Sequence, residues 1–112
     1  MSVREAILQV DLGQIDELLA ENVVWVGTGP GMLCRNREQV RGMFERAFTG
    51  GRSWTPEIVY DEDDVLVIDP HGDPPPDLNP DLHQVLVLEN GLISEVRDYT
   101  NREAALAAVG RR

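Results

Sequence analysis

Residues 83–101 read HQVLVLENGLISEVRDYTN, from His83 to Asn101, and the interpretation of the chain turns on this stretch. Two runs rich in Val, Leu and Ile flank Asn90-Gly91, a dipeptide whose backbone accepts the positive φ of a two-residue hairpin turn. An uninterrupted hairpin closed by that turn sets Glu89 opposite Leu92, Leu88 opposite Ile93, Val85 opposite Val96, Gln84 opposite Arg97 and His83 opposite Asp98. Directly opposed residues have Cβ atoms roughly 4.5–5.5 Å apart. The register therefore predicts an imidazole beside a carboxylate, with Val85, Val87, Ser94 and Val96 on the same face. Gln84, Leu86, Leu88, Ile93 and Glu95 then form the other face, expected to lie outward where a second copy could pack. An acid–base pair among apolar side chains predicts a pocket, with His83 and Asp98 as candidate catalytic residues. The same pair also has a purely structural reading, since cross-strand opposite charges occur without chemistry.

Upstream, Ser2-Val3-Arg4-Glu5 has the form of a helix capping box, followed by Val3, Ala6, Ile7 and Val10 at helical spacing. Asp11-Leu12-Gly13 breaks that helix, and a second is expected with Leu12, Ile15, Leu18 and Leu19 on its buried face. Asn22–Thr28 is β-branched and aromatic, which predicts a strand with Trp25 and Val23 on one side and Val24 and Val26 on the other. Trp25 is read either as core or as pocket lining. The Gly-rich loop at 27–31 lacks a nucleotide-binding pattern. Asn36 caps a third helix, where Val40, Met43, Phe44, Ala47 and Phe48 recur at the strongest helical period in the chain. Ser53–Asp61 and Asp64–Asp69 predict a second hairpin, whose Val65–Ile68 run reads as covered on both faces. The proline-rich residues 70–80 are expected to form a loop. Thr100-Asn101-Arg102-Glu103 predicts a short C-terminal helix capped at Thr100 and stopped by Gly110.

Composition narrows the function classes. The 112 residues, 42% of them hydrophobic, predict one domain spanning 1–112. No run of about 18 apolar residues is present, which argues against a membrane span. The first residues lack an apolar signal core and there is one cysteine, Cys34, so a reducing cytoplasm is expected. Net charge is −10, and all ten basic residues are arginine. Such a surface repels nucleic acid and anionic membranes. His71 and His83 stand among Asp61, Asp64, Asp73 and Asp81 without calcium-loop spacing, cysteine clusters or an HExxH pattern, so no metal site is expected.

The segments DLGQIDELLAENVVW, RNREQVRGMFERAF and ENGLISEVRDYTNREAAL resemble the SnoaL-like branch of the nuclear transport factor 2-like superfamily, which includes polyketide cyclases, ketosteroid isomerases and limonene epoxide hydrolases. The resemblance implies a cone-shaped, cystatin-like α+β fold: a curved antiparallel sheet wrapped around the N-terminal and middle helices, often dimeric through the sheet. It also implies an Asp near the end of the last strand with a His on its neighbour, matched by Asp98 and His83. Epoxide-hydrolase-like members place an Asp in an RDY stretch, matched by Arg97-Asp98-Tyr99, and pair it with an Arg-x-Asp. Here Val67-Ile68-Asp69 retains only the Asp. The isomerase pattern needs a tyrosine donor, for which Tyr60 is the candidate. The expected pocket is thus Trp25, Tyr60, Asp69, Val85 and Val96. The implied function is acid–base chemistry without a cofactor, as an isomerase, cyclase or hydrolase acting on a small, apolar, ring-containing molecule. The alternative is a non-catalytic ligand-binding or dimerisation module.

Overall fold

The computed structural model describes residues 2–27, 33–49, 53–62, 64–73 and 83–110. Their order is α1 (Val3–Gln9), α2 (Leu12–Glu17), β1 (Leu19–Val26), β2 (Leu33–Cys34), α3 (Arg37–Thr49), β3 (Ser53–Glu62), β4 (Val65–Asp73), β5 (His83–Glu89), β6 (Leu92–Tyr99) and α4 (Arg102–Gly110). Helix starts follow local hydrogen-bond chemistry. The Ser2 side chain accepts from the Glu5 amide, Asp11 from Gln14, and Asn36 from Gln39, each occupying a first-turn donor that has no intrahelical partner. The C-terminal helix differs from expectation in its cap: Asn101, not Thr100, accepts from the Ala104 amide at 2.7 Å, and the helix runs through Gly110.

The six strands form one open sheet in the order β2-β1-β6-β5-β4-β3. All neighbours are antiparallel except β1 and β6, which run parallel, so the sheet is mixed where an antiparallel one was expected. The first strand begins at Leu19, before the predicted Asn22, and β2 had no sequence signal beyond two residues. The strand β4 continues through Pro70 to Asp73, inside the stretch expected as a loop; residues 74–80 lie outside the described residues. Among the described residues β4 pairs with β5 from Val65 to Ile68, and from Pro70 onward its described pairing is to β3, the setting in which a strand tolerates proline.

Two apolar clusters occupy the two faces. On the inner face, α1, α2 and α3 bring Val3, Ala6, Ile7, Ile15, Val40 and Phe44 against Val23, Trp25, Leu66, Ile68, Leu86, Ile93 and Val96. On the outer face, Ala105 and Val109 of α4 cover Val65, Val67 and Val85. Alternation along β4 serves both, which is why Val65–Ile68 is buried at every position. The strands bend at a register shift between Ile58 and Tyr60 in β3 and at another opposite Val87 and Leu88. Such bulges curve a sheet around the helices it packs on. Among the described residues no helix is long and apolar enough to cross a membrane.

Candidate functional site

The decisive local feature is the second of those bulges. Asn90 and Gly91 both have positive φ, as the predicted turn requires, and the turn sets Glu89 opposite Leu92 and Leu88 opposite Ile93. One step further, Val87 is opposite Glu95, so Ser94 is an extra residue on β6; its hydroxyl donates to the Val87 carbonyl at 3.1 Å. From there every pair moves by one: Leu86 faces Val96, Val85 faces Arg97, Gln84 faces Asp98 and His83 faces Tyr99. The physical reason is the spacing of apolar residues. Strict alternation from Ile93 would turn Glu95 and Arg97 inward and Val96 outward. The extra residue lets Ile93 and Val96 both reach the core and leaves Glu95 and Arg97 outward, 3.2 Å apart as an ion pair.

The consequence for the predicted dyad is direct. His83 and Asp98 are not opposed and lie on different faces. His83 is buried on the outer face, where its cross-strand neighbourhood supplies another carboxylate: Nε2 is 3.4 Å from Asp69 Oδ1. Asp69, Tyr60 and Val85 share that face, Tyr60 and Val85 within the cluster under α4. Trp25 and Val96 are in the inner cluster with Asp98 beyond them on the same side. Of the seven expected site residues, the structure therefore unites Trp25, Val96 and Asp98, and places His83, Asp69, Tyr60 and Val85 behind the sheet. Of the face expected outward, Leu86 and Ile93 belong to the inner core, Leu88 packs against it and Gln84 faces the same side, while Glu95 stays outward.

Around Asp98 the polar contacts are few. Trp25 Nε1 donates to Asp98 Oδ2 at 3.0 Å. Burial pushes the Asp98 carboxyl above the ordinary 3.8 of an aspartate, opposed by the Trp25 hydrogen bond and then by one from the Gln84 side chain. Oδ1 is buried and accepts no hydrogen bond from the described residues. Gln84 is the site residue that sequence reasoning missed; the broken alternation at Ile93-Ser94-Glu95-Val96 is the signal that would have found it. A solvent-open groove of about 280 Å³ lies between Asp16, Arg37, Glu38 and Arg41, and none of the candidate residues lines it. Both arginines reach Asp16, Arg41 at 3.8 Å from its carboxylate and Arg37 by donating to its carbonyl. Among the described residues no group of three or more His, Cys, Asp or Glu is placed to hold a metal ion.

With fold and site in view, the family model of the SnoaL-like domain matches residues 3–96. The chain belongs to the SnoaL-like domain family. Solved structures share the α+β cone. A nuclear transport factor 2-like protein of unknown function from Cytophaga hutchinsonii superposes with a TM-score of 0.57 at 15% identity, covering 91% of this chain and 86% of its own. A Catenulispora acidiphila protein with a ketosteroid isomerase-like fold, in complex with trimethylamine, gives 0.58 at 20% identity, covering 94% and 86%. An LEH-like epoxide hydrolase from M. tuberculosis gives 0.58 at 16% identity, covering 96% and 83%. No curated protein matches the chain.

Proposed function

We propose that the protein binds a small, apolar, ring-containing molecule on the inner face of its sheet, and that Asp98 acts on it as the acid–base group of a cofactor-independent isomerase, cyclase or hydrolase. The observation that carries this reading is a buried carboxyl oxygen, Asp98 Oδ1, that has no hydrogen-bond partner among the described residues. A buried acceptor without a partner costs stability and calls for a function that repays it. A carboxyl whose proton affinity is raised by burial is a better base when ionised and is protonated over a wider pH range, so it can take a proton from carbon beside a carbonyl or give one to an oxygen. The relatives that are an epoxide hydrolase and a trimethylamine-bound protein support a ligand site in this fold class. His83 is not part of the chemistry in this reading, because its carboxylate neighbour is Asp69 on the opposite face. A homodimer across the outer face, where Tyr60 and Val87 are only half-buried beside α4, completes the proposal.

The test is turnover and binding across a panel of polycyclic ketones and epoxides with Asp98→Asn as control. Loss of general acid–base catalysis lowers turnover by roughly 10²–10⁴-fold, with binding retained. An Asp98→Asn protein that works at the wild-type rate removes Asp98 from the chemistry. His83→Gln is expected to leave turnover within a few-fold, since it sits behind the sheet.

A further inference from the structure

The two oxygens of Asp98 have different surroundings, and the difference originates in Trp25. The indole Nε1–H points at Oδ2, 3.0 Å away, whereas Oδ1 receives no such contact. Trp25 is itself fixed from three directions. It lies on β1, whose parallel pairing with β6 sets it opposite Val96, two residues before Asp98. Its side chain is 2% exposed. Phe44 of α3 meets its ring edge-on, with centroids 4.9 Å apart and planes at 65°. An indole in such packing is held by its neighbours, and its N–H can only donate.

We infer that Trp25 is a positioning residue for Asp98: it holds Oδ2 from β1, so that Oδ1 is the one atom of the carboxyl that exchanges a proton with a ligand. The assignment rests on the acid–base role proposed above and specifies its geometry. In the forward step a lone pair on Oδ1 takes the proton, and the electron pair of the broken C–H or O–H bond stays with the ligand; nothing is oxidised or reduced. The protonated acid then carries its proton on Oδ1, because Oδ2 already faces a donor. Trp25 thereby does a third thing beside the two readings its sequence position allowed, core packing and pocket lining. It restrains the carboxyl's rotation about its own axis, so the ligand's reacting atom must approach from the Oδ1 side.

The experiment is a pH titration followed by NMR, with ¹³C-labelled aspartate carboxyls and the indole N–H resonances observed in one sample. The chain has two tryptophans, and Trp54→Phe assigns the signals. The Trp25 Nε1–H resonance is expected to move with the same midpoint as the Asp98 carboxyl. In Trp25→Phe the Asp98 midpoint is expected to rise, since the lost donor favoured the carboxylate. An indole signal that stays flat while Asp98 titrates overturns the inference, as does an unchanged midpoint in folded Trp25→Phe. Where that variant fails to fold, the wild-type indole trace decides alone. These readouts need no ligand, so an empty substrate screen defeats the acid–base role while leaving the Trp25–Asp98 contact judged on its own signals.

Discussion

Asp98 has a cost attached to it as well as a use. Its folded-state proton affinity is raised above that of an unfolded aspartate because burial disfavours the charge. For a carboxyl shifted upward, the sign is the reverse of the familiar salt-bridged case. The associated stability is fully present below the unfolded value of about 3.9 and is lost as pH rises through the higher folded value. Above that value the protein carries a buried, incompletely solvated charge. Asp98→Asn is expected to raise the unfolding free energy at pH 7 by up to about 1 kcal/mol, the usual gain from relaxing a strained functional group. The gain should vanish toward pH 3.5, where both proteins are neutral at this position. Thermal melts by circular dichroism across pH check it. A variant less stable at pH 7 than the wild type would show that the Trp25 and Gln84 hydrogen bonds outweigh desolvation.

At the level of the element, the β5–β6 hairpin divides into a half that local chemistry specifies and a half that packing specifies. The turn obeys Asn90-Gly91, and the first two pairs stand where an uninterrupted hairpin puts them. Beyond them Ser94 decides the face of everything that follows. Ser94→Ala removes one side-chain hydrogen bond to a carbonyl and is expected to cost about 1 kcal/mol with the register unchanged. Deleting Ser94 is a different perturbation. It takes out the extra residue and leaves Val87 opposite Glu95 and every pair beyond it unchanged, so Val96 stays inward and Glu95 and Arg97 stay outward. No charge is turned into the core, so the deletion, which removes only the bulge's bend, is expected to leave urea unfolding cooperative. A deletion variant that loses cooperative unfolding would show that the bend at Ser94, and not only the register, is required. The β3 bulge near Val59 has the same logic, since it lets Ile58 face the inner core and Tyr60 the outer.

For the molecule as a whole, the sheet carries apolar surface on both sides, and the two sides are closed by different means. Three helices cover the inner face, whereas α4 covers the outer one with small side chains, Ala105 and Val109, leaving Val59, Tyr60 and Val87 half-buried. That remainder is where the proposed homodimer would form, and sedimentation equilibrium of the full chain is expected to give twice the chain mass. Val87→Asp, which adds charge on this surface without touching the inner core, is expected to give one chain mass with an unchanged circular dichroism spectrum. A wild-type protein that sediments as one chain at all concentrations takes the dimer out of the proposal.

What residues close in sequence can decide was legible from the sequence. Ser2, Asp11 and Asn36 begin helices because their side chains satisfy amides within three residues, and Asn90-Gly91 turns because its backbone admits positive φ. The periods of 3.6 and 2 in Val40–Phe44 and Val65–Ile68 identified a helix and a strand buried on both faces. The resemblance carried by three longer segments identified the family. The composition of the site was not legible, because it depends on which neighbour a strand chooses. The parallel pairing of β1 with β6 brings Trp25 to Asp98 across 73 positions of sequence. The bulge at Ser94 then exchanges His83 for Gln84 as the cross-strand neighbour of Asp98. A one-residue slip reverses every side chain beyond it, and only the competition between Val96 and the Glu95–Arg97 pair for the core, settled by tertiary packing, determines which way the strand slips.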